Sequence, residues 1–138
     1  MHTLIVEDDF TSRLLLQTFL SRYGECQIAI NGKEALQAFR MARQGNRKYD
    51  LVCMDIMMPE MDGQTAVRKI RELEVSEGIL STVGVKIIMT TALDDVKNVA
   101  ESFGSLCDAY VFKPVDTALL LGHLEKLGLV PQVAGAHG

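Results

Sequence analysis

Five short apolar runs punctuate the chain: Thr3–Val6, Cys26–Ile30, Leu51–Met54, Val85–Met89 and Ala109–Phe112. Between them lie stretches whose apolar residues recur at helical spacing. Cys26–Ile30 alternates in character, while a short apolar run such as Leu51–Met54 is what a strand covered on both faces of a parallel sheet looks like. The alternation of these runs with helices predicts a single α/β domain, a doubly wound parallel sheet of five strands with helices on both faces.

The helical stretches carry their own signals. Thr11–Tyr23 repeats Leu14, Leu15, Thr18 and Phe19 and stops at Gly24, and Lys33–Gln44 repeats Ala35, Leu36 and Phe39. From about Gln64 to Glu74 the pattern places Ala66, Val67 and Ile70 inward and Arg68, Lys69, Arg71 and Glu72 outward. Asp94–Phe103 reads as a short fourth helix. A fifth, capped by Asp116, carries Leu119, Leu120, His123, Leu124 and Leu127 and ends at Gly128. The domain is thus expected over residues 1–128, with 129–138 a short disordered tail. The connection Val75–Gly84 is longer than most between a helix and a strand.

With 138 residues there is room for one domain with a real core. No apolar run approaches the roughly 20 residues a membrane helix needs, and Met1–Val6 reads as a first strand rather than a signal peptide, which points to the cytoplasm. The net charge is −4 and the lysines and arginines are dispersed, which gives no footprint for direct nucleic-acid binding. Cys26, Cys53 and Cys107 are odd in number and each adjoins an apolar run, so they are expected as buried free thiols.

Four strand ends carry polar residues: Glu7, Asp8 and Asp9 after the first, Asp55 after the third, Thr90 and Thr91 after the fourth, and Lys113 after the fifth. Asp55 is the most unusual of these, a carboxylate closing an apolar strand just before Met57-Met58-Pro59. If the first and third strands are neighbours, a crevice opens between Asp8 and Asp55 at the sheet's carboxyl edge, where open α/β sheets bind ligands. Carboxylates converging there repel one another unless a cation neutralises them, and Mg²⁺ suits a shell of carboxylates, waters and a phosphate oxygen. Lys113 and the Thr91 hydroxyl suit a phosphoryl group, and Asp55 suits the nucleophile that forms an acyl phosphate.

The segments Val6-Glu7-Asp8-Asp9, Met54 to Gly63, Thr91-Ala92 and Tyr110-Val111-Phe112-Lys113-Pro114, in this order, resemble the receiver domain of two-component response regulators. The resemblance covers residues 3–127 and implies a flavodoxin-like (βα)5 fold with strand order 2-1-3-4-5. It also implies a stand-alone phosphoacceptor in which Asp55 takes a phosphoryl group from a histidine kinase or a histidine phosphotransfer protein. Glu7, Asp8, Asp55 and the backbone carbonyl of Met57 would hold Mg²⁺, while Thr91, Ala92 and Lys113 would contact the phosphoryl group. A cis Lys113–Pro114 bond is implied as well. Tyr110 corresponds to the aromatic that turns inward as Thr91 shifts, biasing a face made of the fourth helix, fifth strand and fifth helix for a downstream output protein. The protein would act as a monomer or a phosphorylation-dependent dimer. Two other readings are a degenerate receiver, disfavoured because every expected acid, the threonine and the lysine are present, and a small aspartyl-phosphate phosphatase. The phosphatase would need an acid/base aspartate two residues after Asp55, where Met57 stands. Met57 and Leu93 occupy the two positions that tune dephosphorylation in the family, and both are apolar, which predicts a long-lived phosphoryl group. Leu106 and Cys107 stand where the family usually has small residues.

Overall fold

Successive residues of a strand face opposite sides of a sheet, so an all-apolar strand must be covered twice. The computed structural model, which describes residues 1–56, 58, 61–79, 83–92 and 106–131, meets that requirement. Strands β1 (Thr3–Val6), β2 (Cys26–Ala29), β3 (Leu51–Asp55), β4 (Lys86–Thr91) and β5 (Ala109–Phe112) form one parallel sheet in the order β2-β1-β3-β4-β5. On one face Leu4, Val6, Val52, Met54, Ile87 and Met89 pack against α2 (Gly32–Gln44) and α3 (Gly63–Ser76). On the other, Ile5, Cys53 and Ile88 meet α1 (Phe10–Leu20) and the C-terminal helix (Thr117–Lys126). Each fully buried Leu or Ile stabilises the fold by roughly 1.5–3 kcal/mol, so the two layers supply most of the driving force.

Every described α-helix opens on a side-chain cap. Asp9 accepts from the Ser12 N–H at 2.9 Å, Asn31 from Glu34 at 2.8 Å, Asp62 from Thr65 at 2.7 Å and Asp116 from Ala118 at 2.9 Å. Caps of this kind contribute about 1 kcal/mol each. They also start all four of these helices directly after the loops that leave the carboxyl edge of the sheet.

The structure corrects several sequence expectations. The buried stripe of α1 is Leu16, Phe19 and Leu20, whereas Leu14 and Leu15 are exposed. The helix begins at Phe10 and tightens into a 3-10 turn over Ser21–Tyr23 before Gly24. Burial on the C-terminal helix falls on Leu120 and Leu124, with Leu119 in solvent. Strand β4 extends through Thr91, two residues past Met89. Of the three free cysteines only Cys53 is buried. At the C-terminus Gly128, at φ 74°, lets Leu129 N–H return to Leu124 O at 2.9 Å, and Val130 is buried beside the C-terminal helix. The helix expected at 94–103, Met57, Leu93 and most of the tail lie outside the described residues.

Arg71 is the largest departure: it was expected outward and is only 8% exposed. Its Nη1 donates to Glu74 Oε1 at 2.7 Å and to Val85 O at 2.9 Å, and its Nε donates to Leu106 O at 2.9 Å. Its Nη2 lies 3.3 Å from Asp108 Oδ2, which also accepts from Ile87 N–H at 2.8 Å. Glu74 Oε2 accepts from Val85 N–H at 2.7 Å. The planar guanidinium has enough fixed donors to serve four acceptors at once, which is how an arginine is accommodated in a core. This network ties α3 to the beginnings of β4 and β5.

Candidate functional site

Glu7 follows β1 and is completely buried, with its backbone N–H bonded to Ala29 O at 3.0 Å. Its Oε2 accepts the Asp9 N–H at 3.2 Å, and its carbonyl accepts Arg13 Nη1 at 3.3 Å. The sheet, the α1 cap and Arg13 thus fix the acidic turn from three sides. Asp8, next along, is exposed at its rim.

Asp55 is the last residue of β3, in register with Thr90 of β4, and 4% exposed. Its position depends on Gly63 at the start of α3. A Cβ there would stand 2.1 Å from Asp55 O, so only glycine lets the helix approach so closely. Gly63 N–H donates to Ile56 O at 3.0 Å, which closes the loop that follows Asp55.

Lys113 follows β5, and its N–H bonds to Thr91 O at 2.8 Å. Its ammonium reaches back across the edge to Glu7 Oε1 at 2.7 Å and Asp55 Oδ1 at 3.2 Å. The Lys113–Pro114 bond is cis, as expected. Thr91 is buried, and its hydroxyl donates to Ala92 O at 3.2 Å. Tyr110 pairs with Met89 and shares a sheet face with it and with Thr91, two residues on. Glu7, Asp8, Asp55 and Lys113 are therefore brought together, Thr91 and Ala92 sit on the adjoining strand end, and Tyr110 lies one layer below. Arg13 was not singled out from the sequence. Its position one helical turn beyond Asp9 was the available signal.

The electrostatics reflect an excess of acid. Glu7, Asp8 and Asp55 each present a carboxylate oxygen within 4.8 Å of the others. Burial, reinforced by the neighbouring Glu7, pushes the Asp55 carboxyl up to about 7, against the opposing pull of Lys113. Burial disfavours the Lys113 ammonium, but Glu7 and Asp55 outweigh it and raise its pKa. One ammonium, paired with Glu7 and Asp55, stands in a cluster of three carboxylates, and the buried Glu7 Oε1 lies 2.7 Å from it. Three hard oxygen donors with uncompensated charge are a fit for a divalent cation of the Mg²⁺ type.

The response regulator receiver domain family matches residues 3–125. The transcriptional regulatory protein SrrA of Staphylococcus aureus (strain NCTC 8325 / PS 47) is 37% identical over 112 residues, which are 80% of this chain and 41% of that protein. The chain spans half or less of the length of the curated relatives it matches. Among solved structures, the co-crystal structure of the Saccharomyces cerevisiae histidine phosphotransfer signalling protein Ypd1 with the receiver domain of its downstream response regulator Ssk1 contains a similar chain. The match has a TM-score of 0.79 at 26% identity and covers 99% of this chain and 94% of that one. The receiver domain of the sensor histidine kinase PA1611 from Pseudomonas aeruginosa PAO1, solved with a magnesium ion coordinated in its active-site cleft, matches with a TM-score of 0.73 at 25% identity. It covers 92% of this chain and 97% of that one.

Proposed function

The chain belongs to the response regulator receiver domain family, and from that premise we propose that Asp55 is its phosphoacceptor, taking a phosphoryl group from a phosphohistidine. The observation that carries this reading is the convergence of Glu7, Asp8 and Asp55 with the Lys113 ammonium at one sheet edge. In the transfer a carboxylate oxygen of Asp55 attacks phosphorus, the P–N bond to the donor imidazole breaks, and its electron pair returns to the imidazole nitrogen. Asp55 must be ionised to attack, which Lys113 favours and Glu7 opposes. Lys113 then compensates charge on a phosphoryl oxygen, and the Thr91 hydroxyl turns from Ala92 O toward another. Mg²⁺, when held by Glu7, Asp8 and Asp55, supplies positive charge to the phosphoryl oxygens. The shift of Thr91 and Tyr110 is the local event that alters the face carrying β5 and the C-terminal helix, and so selects an output partner.

A histidine kinase or a histidine phosphotransfer protein is the phosphodonor by this reading, supported by likeness to a chain crystallised with such a protein. The protein works as a monomer or as a phosphorylation-dependent dimer. The decisive test is intact mass after incubation with Mg²⁺ and a small phosphodonor: wild type gains one phosphoryl group and Asp55→Asn gains none. An unchanged wild-type mass, or an equal gain in the variant, overturns the assignment.

A further inference from the structure

The helices run back against the parallel strands, so the C-terminal ends of α2 and α3 gather at the edge of the sheet opposite Asp55. A cavity of about 500 Å³ lies between those ends, lined by Arg40, Arg43, Gln44, Asn46, Lys48 and Glu77. Three cations thus share a concavity with one carboxylate, in a chain whose net charge is −4. A concave surface dominated by one sign of charge focuses the field that draws in small ions of the other sign.

Local structure holds these cations in place. Arg40 and Arg43, three residues apart, share one face of α2. The Arg43 side chain is only 11% exposed, its guanidinium carbon lies 5.5 Å from the Phe39 ring centroid, and its Nε donates to Glu77 Oε2 at 2.8 Å. Its Nη2 reaches the same oxygen, so Glu77 is committed to Arg43. Asn46, at φ 56°, turns the chain beyond α2, and the Lys48 carbonyl is fixed 3.1 Å from His2 Nδ1. Neither Arg40 nor Lys48 forms an ion pair among the described residues. The C-terminal end of a helix carries partial negative charge, which opposes an anion. Here that charge is blunted, because Met41 O accepts from Gly45 N–H at 2.9 Å, Ala42 O from Arg47 N–H at 2.8 Å and Arg43 O from Asn46 N–H at 3.3 Å.

We propose that this cavity is a binding site for a small phosphate ester carrying two or more negative charges, remote from Asp55 and independent of the phosphoacceptor reading. Arg40 and Lys48 supply the charge-assisted bonds, Gln44 and Asn46 carry amides that can donate to further oxygens, and Arg43 forms the fixed wall between them. The planar fork of an arginine matches phosphate oxygens, and a lysine adds a point charge. The volume is that of a small-molecule site and exceeds what a bare anion fills, which leaves room for an organic body against Leu73.

The test is a ¹H–¹⁵N NMR titration of the full chain with inorganic pyrophosphate, at constant ionic strength and without Mg²⁺. The shifts should saturate, centre on residues 40–48 and Glu77, and give a Kd of about 1 mM or tighter, with sulfate about tenfold weaker or more. Each charge-assisted bond removed weakens an affinity by about tenfold or more. Arg40→Gln/Lys48→Gln should therefore weaken pyrophosphate binding by about 100-fold, while Lys69→Gln, on the exposed side of α3, should bind as wild type does. The three substituted side chains are exposed, so urea melts of these variants should match wild type. Asp55→Asn should leave the affinity unchanged, so the site stands even where the phosphoacceptor assignment fails. Shifts that never saturate and spread over the whole surface, an unchanged Kd in the double variant, or loss of binding in Asp55→Asn would each overturn the proposal.

Discussion

The Lys113 ammonium sits 2.7 Å from Glu7 Oε1, closer than the 3.2 Å that separates it from Asp55 Oδ1. In this structure the lysine therefore serves the acidic turn after β1 at least as much as it serves the acid at the end of β3. Burial and the neighbouring Glu7 push the Asp55 carboxyl up to about 7, and one ammonium shared between two buried carboxylates offsets this only in part. A divalent cation held by Glu7, Asp8 and Asp55 would offset the same charge deficit.

Removing that shared charge should damage both stability and chemistry. Lys113→Met leaves two buried carboxylates facing each other without a cation, and the loss of a buried partner costs about 1–3 kcal/mol. Urea melts without added metal should show that loss at pH 8 and less of it at pH 5.5, where Asp55 holds its proton. The rate of phosphorylation by acetyl phosphate should fall by about 100-fold or more, the usual effect of deleting a group aimed at developing charge.

Asp55 also makes a signed prediction about pH. Its folded pKa of about 7 lies above its ordinary value of 3.8, so between these limits the folded protein keeps a proton that the unfolded chain has released. Its contribution is thus fully present below about pH 4, declines through the interval and is lost above pH 7. That interval corresponds to roughly 4 kcal/mol at most. Denaturation of the metal-free protein should show this decline, Asp55→Asn should flatten it, and added Mg²⁺ should reverse it at pH 8.

Gly63→Ala tests how closely the scaffold defines the site. The added methyl would stand 2.1 Å from Asp55 O, so the start of α3 or the end of β3 has to move. Overpacking of this kind costs about 1–3 kcal/mol. The phosphorylation rate should drop although no charged group has changed. A variant with wild-type rate and stability would show that the close approach is dispensable.

The strands, their parallel arrangement and every acid of the site were legible because strand ends in an α/β sheet are forced to one edge, where polar residues stand out against apolar runs. The order of the strands came from family likeness, and the pairing of β1 with both β2 and β3 agrees with it. What periodicity misjudged were rotations and long-range partners. Leu14 and Leu15 fit a helical stripe as well as Leu16 does, and only the sheet decides which side of α1 is covered. Arg71 reads as a surface residue because its acceptors, Leu106 O, Val85 O and Asp108, are remote in sequence. No local pattern announces a partner 35 residues away.

That network should be among the costliest in the molecule to break. Arg71→Met leaves Glu74, which is 1% exposed, as an uncompensated buried charge and strips hydrogen bonds from two backbone carbonyls. Breaking a buried pair from one side costs about 3–5 kcal/mol. The double variant Arg71→Met/Glu74→Gln should recover part of that loss in urea melts, because no lone charge is then left inside. Equal stability of the single and double variants would mean that the two charges are not coupled.

The lifetime of the phosphoryl group is the prediction that depends most on this chain's particular residues. By family correspondence, the side chains two positions after Asp55 and two after Thr91 place or exclude the water that attacks the acyl phosphate, and here they are Met57 and Leu93. Neither side chain type can hydrogen-bond a water or orient it, and the acceptor Asp55 is itself only 4% exposed. Hydrolysis needs a water aligned with the P–O bond, so excluding it slows the step without altering the transfer from phosphohistidine, in which no water takes part. Phosphate release from the loaded protein should therefore take minutes or longer. Met57→Asn with Leu93→Gln, which supplies polar groups at both positions, should shorten it by about tenfold or more while leaving loading with acetyl phosphate nearly unchanged. Release from wild type within seconds would show that these two side chains do not shield the acyl phosphate.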